Sequence, residues 1–216
     1  MPPDPLVLAF DTSAAHCAVA LVLGPDILAQ QYEALHKGQA ERLFPLLKEV
    51  LNTANKSWAD LSAIGVGTGP GNFTGIRISV SAARGLALSL NIPAVGVSTF
   101  EAQAVGLTRP VLACVDARRN QTYVQLLNEP EPPLTDTIED TIPDRLLPEG
   151  VSLVGAMPAI AGNAGANIAT AKYPLAVAIA RIAAARYIGN PSRPAPLYIR
   201  MADAAPSSEP PPVILP

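Results

Sequence analysis

Two apolar runs that each end on an aspartate limit the folds open to this chain. Val7-Leu8-Ala9-Phe10-Asp11 and Val111-Leu112-Ala113-Cys114-Val115-Asp116 set those aspartates 105 residues apart. Each run enters a polar turn and leaves it in a second apolar run, CAVALV after the first and TYVQLL after the second. Runs of this kind bounded by turn residues read as β-hairpins. Strand, Asp-led turn and strand, used twice, suggest a duplicated α/β unit whose halves meet near Thr108 to Pro110.

Helical patterns lie between the hairpins. Ile27 to Leu35 reads as a third strand, and HKGQAERLFPLLKEVLNTAN then repeats Leu43, Leu47, Val50 and Leu51 at helical spacing. Pro45 interrupts this pattern, so a late start or a kink is expected there. Leu61 to Val66 forms a short buried strand. From Thr74 the sequence turns helical, with Ile76, Val80, Ala83 and Ala87 on one face and Ser81, Gly85 and Ser89 forming a row of small residues. Gly85 costs such a helix about 1 kcal/mol against alanine, which close packing there would offset. Pro93 to Val97 is a further strand. Ser98 with Glu101 three residues on forms a capping box, opening a helix through Gly106. Tyr173 to Ile188 is a last helix, stopped by Gly189-Asn190-Pro191.

Between the strand from Leu61 and the helix from Thr74 runs the glycine-rich corner GVGTGPGNFTGIR, residues 65–77. A Walker A loop needs a lysine to reach the outer phosphates, and no lysine occurs between Lys56 and Lys172. A dinucleotide fingerprint fails in every register, because Asn72, Pro70 or Thr74 stands where the third glycine belongs. Gly69, Gly71 and Asn72 can still turn N–H groups toward an anion at the start of the following helix. A plain strand-to-helix turn uses the same residues, and both readings stay open. Asp11-Thr12-Ser13 is a second polar turn of phosphate size.

Other chemistry is scarce. His16 and His36 are the two histidines and belong to no HExxH pair, which is poor material for zinc. Asp11, Ser13 and His16 fall within one turn, whereas a hydrolytic triad draws its members from different elements. Asp116-Ala117-Arg118-Arg119 reads either as a solvated hairpin turn or as the charged edge of an interdomain cleft. Cys17 and Cys114 lack CxxC spacing and are expected to be buried thiols of a reducing cytosol. A net charge of -3 disfavours tight nucleic-acid binding by the chain alone. No membrane span is expected: the uncharged stretch Gly150 to Ala171 is broken by Pro158, Asn163 and Asn167, and Gly85 to Phe100 by Asn91 and Pro93. The start MPPDPLVLAFD has no basic region, so no signal peptide is expected.

The stretches FDTSAAHCAVAL, HKGQAERLFPLLKEVL, GTGPGNFTGIRISVSAARGLAL, IPAVGVSTFEA, VDARRNQTYV and PLYIR occur in this order. Together they resemble the bacterial TsaB (YeaZ) family of threonylcarbamoyladenosine biosynthesis proteins, with GPGNFTGIR followed by RGLAL as the most specific signature. The resemblance covers Leu6 to Leu126 and then Pro196 to Arg200, and the segment from Asn128 to Tyr173 is abbreviated against the family pattern.

The resemblance implies an α/β, actin-like and sugar-kinase-like (ASKHA) ATPase fold with two duplicated lobes. Residues 1–108 are the expected N-terminal lobe, 109–200 an abbreviated C-terminal lobe and 201–216 a proline-rich tail. It implies a cytoplasmic, non-catalytic subunit that binds TsaD, the metal-carrying transferase of tRNA threonylcarbamoylation, with the ATPase TsaE joining the pair. TsaD holds its metal with paired histidines on an early helix; here His36 is followed one helical turn on by Ala40 and then Glu41, so no metal site is expected. A homodimer is expected when TsaD is absent, and contact with tRNA only through the complex. The implied partner interface is Leu43, Leu47, Val50, Ile76, Val80, Ala83 and Gly85. Asp11, Thr12, Ser13, Gly69, Gly71 and Asn72 are the implied contacts of ATP or ADP at the TsaD boundary, the isolated chain holding no cofactor. The competing reading is a small actin-fold ATP-dependent phosphotransferase or ATPase with Asp11 and Asp116 as its carboxylates, although Thr12-Ser13-Ala14 replaces the usual glycines after the first. A glycopeptidase ranks last, for want of a nucleophile or metal site.

Overall fold

The computed structural model describes residues 4–156, 166–189 and 191–199; the proline-rich stretch 201–216 and Asn190 lie outside them. Its first sheet contains β1 (Leu6–Asp11), β2 (His16–Leu23), β3 (Asp26–Ala34), β4 (Ala63–Gly67) and β5 (Ala94–Val97), in the order β3-β2-β1-β4-β5. β1, β2 and β3 pair antiparallel, whereas β4 and β5 run parallel to β1. The second sheet repeats this plan with β6 (Val111–Arg118), β7 (Gln121–Leu127), β8 (Leu134–Ile138), β9 (Ser152–Gly155) and β10 (Asn167–Ile168). β6, β7 and β8 are antiparallel, and β9 and β10 follow in parallel. Asp11 and Asp116 stand at corresponding places on the central strands. The duplication read from the two Asp-ended runs is thus the symmetry of an α/β, actin-like fold.

Helices cover both faces of the first sheet, which explains why its central strand is apolar without alternation. Leu6, Leu8 and Phe10 point one way, toward Leu43, Leu46 and Leu47 of α1 (Gln39–Thr53) and Ile76 and Val80 of α2 (Phe73–Leu90). Val7 and Ala9 point the other way, toward α4 (Leu175–Arg186). The alanines of that helix let it lie close to the sheet: a Cβ on Gly65 of β4 would come within 3.1 Å of Ala183 and 3.2 Å of Ile179. Pro45 neither delays α1, which begins at Gln39, nor ends it. A proline there forfeits one intrahelical hydrogen bond, and the buried row Leu43, Leu46, Leu47, Val50 and Leu51 holds the helix against the sheet regardless.

The helices do not divide where the sequence suggests. α3 (Thr99–Ala104), expected in the first lobe, buries Phe100 and Ala104 against Val111, Ala113 and Val154 of the second sheet. α4, expected in the second lobe, packs across β1, β2, β4 and β5. The described residues after 109 therefore pack on both sheets, because the last helix crosses back to the first one. Among the described residues, no helix is long and apolar enough to cross a membrane.

Candidate functional site

The glycine-rich corner and the β1–β2 turn are built against each other. The Thr12 hydroxyl donates to the Gly75 carbonyl at 2.7 Å, and the Asn72 amide donates to the Ser13 carbonyl at 2.5 Å. A Cβ on Gly71 would overlap the Ser13 carbonyl and one on Gly75 the Thr12 carbonyl, so the glycines permit this approach. Gly69 turns at φ +90, a conformation that favours glycine, and its carbonyl accepts from the Thr99 amide at 2.8 Å.

These contacts occupy several of the donors an anion would need. Asn72 caps α2, its Oδ1 accepting from the amides of Thr74 at 3.0 Å and Gly75 at 3.2 Å. The Ser13 amide donates to Asp11 Oδ1 at 2.9 Å, and the Ile76 amide to the Asn72 carbonyl. Asp11 and Thr12 are completely buried. Of the six residues expected to contact a nucleotide, Ser13, Gly71 and Asn72 face the interlobe cleft, whereas Asp11, Thr12 and Gly69 lie behind its wall. The corner is a latch between two turns, with the amides of Ser13, Asn72, Thr74, Gly75 and Ile76 given to protein acceptors.

The cleft itself measures about 690 Å³. One wall carries Ser13, His16 and Asn72, and the other carries Asp116, Arg118 and Tyr123. Asp116 accepts from the Arg118 amide at 2.8 Å. Arg118, Arg119 and Asn120 at the β6–β7 turn all have positive φ, at 61, 52 and 59°. His16 Nε2 donates to Asp11 Oδ1 at 2.8 Å and is thereby tied to the turn. Among the described residues no three His, Cys, Asp or Glu side chains gather in a metal-binding group.

A second feature lies on the outer side of α1 and α2. Leu43, Leu47, Val50, Ile76, Val80 and Ala83, expected to meet a partner, are at most 3% exposed and belong to the chain's own core. This corrects the expected interface: the apolar stripe read from these six residues faces the first sheet. Arginine at Leu47 would place a charge in that core. Gly85 alone of the seven stands outside, with nothing within 4 Å of a Cβ placed on it. It joins Ala40, Phe44, Ile78, Ala82 and Leu86 around an apolar groove of about 580 Å³. Phe44 is 49% exposed. The overlooked signal is Ile78, Ala82 and Leu86, a second apolar row at helical spacing on the flank of α2, half-buried beside the core that holds Ile76 and Val80.

Residues 30–184 match the family profile described as "TsaD: tRNA N6-adenosine threonylcarbamoyltransferase". Over 122 residues the chain is 38% identical to the tRNA threonylcarbamoyladenosine biosynthesis protein TsaB of Escherichia coli K12, covering 54% of this chain and 52% of that protein. Over 145 residues it is 35% identical to the TsaB of Bacillus subtilis, covering 64% and 60%. The matched region thus spans between half and three-fifths of these curated relatives. A solved protein from Pseudomonas aeruginosa, described as similar to peptidase YEAZ, superimposes with a TM-score of 0.70 at 25% identity, covering 91% of this chain and 100% of that one. Component A of the Acidaminococcus fermentans (R)-2-hydroxyglutaryl-CoA dehydratase shares the fold alone, with a TM-score of 0.56 at 11% identity over 85% of this chain and 99% of that one.

Proposed function

Because this chain belongs to the TsaD family of tRNA N6-adenosine threonylcarbamoyltransferases, in its TsaB/YeaZ group, we propose that it is a non-catalytic subunit in N6-threonylcarbamoyladenosine formation. In this reading it acts in the cytoplasm by docking on the transferase subunit TsaD and activating it. TsaE joins the pair, tRNA is reached through the complex, and two copies of this chain associate when TsaD is absent. ATP or ADP, where it takes part, is held at the boundary with TsaD.

The α1–α2 groove is the observation that carries the reading. Phe44 projects from α1 beside a floor of Ile78, Ala82 and Leu86, and Gly85 leaves room for a facing helix to approach closely. Apolar helix faces of this shape bury their area against a partner helix. The latch supports the non-catalytic half of the reading: beside Asp11 the Ser13 amide is given to the Asp11 carboxylate, and the Asn72 amide to the Ser13 carbonyl.

Co-purification of tagged TsaD with wild type, Phe44→Asp and Ala82→Arg tests the proposal, together with reconstituted tRNA modification. Phe44 is exposed and Ala82 half-buried at the groove; variants that keep the wild-type circular dichroism should lose TsaD and the activity it supports. Undiminished capture of TsaD by both variants would overturn the docking face. Nucleotide turnover by the isolated chain would overturn the non-catalytic assignment in favour of an actin-fold phosphotransferase or ATPase.

A further inference from the structure

Beyond Gly85, the surface of α2 opens into a second groove of about 760 Å³, where its C-terminal half meets the segment leaving α4. Leu88, Ile92, Tyr187 and Pro194 supply the apolar lining, and Arg84 and Arg193 line it as well. The segments that build it, residues 73–100, 187–189 and 191–199, contain no aspartate or glutamate, although the whole chain carries a net charge of -3. The groove is therefore a locally basic strip on an acidic protein.

Its two guanidinium groups are unlike most others here. Arg42 bridges Glu33 and Glu49, Arg145 holds Asp136, and Arg186 holds Glu101. Among the described residues, Arg84 and Arg193 make no ion pair or hydrogen bond. Leu88 is 84% exposed beside them. A lone exposed leucine is ordinary. One set in a concave groove between unpaired cations has the form of a recognition site, with an apolar anchor and charges around it.

We infer that this groove binds an acidic peptide segment of a partner protein. An apolar side chain seats against Leu88 and Tyr187, and carboxylates reach Arg84 and Arg193, whose planar forks match carboxylate geometry. Charge complementarity selects the partner's sign. The lining selects a peptide over a nucleic acid: it is mostly aliphatic, whereas single strands use successive aromatic platforms for stacked bases. The inference stands apart from TsaD docking, since Phe44 and the α1–α2 groove take no part in it.

Fluorescence anisotropy of the full chain tests it. The probe is a short labelled peptide alternating glutamate with leucine and phenylalanine, and the control carries lysine in place of each glutamate. The acidic peptide should bind and the lysine peptide should not. Arg84→Glu with Arg193→Glu should weaken the acidic peptide about tenfold or more, and Leu88→Asp should weaken it comparably. All three side chains are exposed, and an unchanged thermal midpoint confirms that each variant is folded; Arg84→Ala with Arg193→Ala serves if charge reversal disturbs the fold. Equal binding of both peptides, or undiminished binding by the arginine variants, overturns the inference. It is overturned equally if labelled oligouridylate binds through Arg84 and Arg193 while the acidic peptide does not. No TsaD enters the assay, so failure here leaves the docking proposal standing.

Discussion

Asp11 and His16 meet across the β1–β2 turn at 2.8 Å, with the imidazole Nε2 donating to carboxylate Oδ1. The same oxygen accepts from the Ser13 amide at 2.9 Å and the Ser13 hydroxyl at 2.8 Å. One completely buried carboxylate thus fixes the turn that Asn72 and Gly75 grip from the other side.

Asp11→Ala would strand three donors at a buried or nearly buried turn. Each unsatisfied buried donor costs about 1–3 kcal/mol, and some of these donors can turn to the cleft, so the expected loss is about 3 kcal/mol. Urea unfolding measures it, and a loss within about 0.5 kcal/mol of zero, as for an ordinary surface change, would remove Asp11 from this role.

Two glycines of one helix should respond oppositely to alanine. At Gly75 a Cβ meets the Thr12 backbone carbonyl, which cannot move without breaking the latch; the expected cost is about 3 kcal/mol or more. At Gly85 the space is open, and replacing a helix-interior glycine stabilises by about 0.5–1 kcal/mol. Thermal unfolding of the two variants should shift in opposite directions. Shifts of the same sign would contradict the packing described.

Glu101 gives stability a pH dependence. Burial pulls its carboxyl upward, but the Ser98 amide, the Arg186 hydrogen bond and charge, and the Ser98 hydroxyl together hold it below its ordinary value of 4.5. A carboxylate whose pKa is depressed on folding stabilises fully above its unfolded pKa and loses that contribution as pH falls through the folded one. Glu101→Gln should therefore destabilise by about 1 kcal/mol near neutrality, with the gap to wild type narrowing below pH 4.5. Unfolding curves at neutral and acid pH check this, and a gap that widens on acidification would reverse the assignment.

The thiols should be inert. Burial pushes Cys17 up to about 11, with Glu33 adding to the effect, and burial alone pushes Cys114 up to about 12. Because the thiolate is the reactive form, neither should react with a disulfide reagent at pH 8 until the chain unfolds. Rapid labelling of either cysteine in the native protein would contradict this.

The architecture was readable because two strands carried the same signal twice. Val7 to Asp11 and Val111 to Asp116 are apolar without alternation, as strands covered on both faces must be, and each ends on a turn residue. The capping pair Ser98 and Glu101 likewise marked α3, and both reciprocal bonds are present. The direction of the α1 stripe was not readable. Leu43 and Leu47 recur at helical spacing whether they face their own sheet or another protein, and that choice was made by Phe10 and Leu8, distant in sequence. The anion reading of GVGTGPGNFTGIR met the same limit. Glycines allow a backbone to close on a phosphate or on a neighbouring carbonyl, and here the partners were Thr12 and Ser13.

The exchange of helices between the sheets bears on how the chain comes into being. Synthesis delivers the whole first sheet early, yet α4, the cover for Val7, Ala9, Ala18 and Ala20, is not complete until Arg186. During that interval a nascent chain shows a smooth apolar sheet face to its surroundings, the kind of transient surface that aggregates or recruits chaperones. The first lobe therefore matures only after the second has been made. A fragment ending near Thr108 would inherit that exposed face permanently.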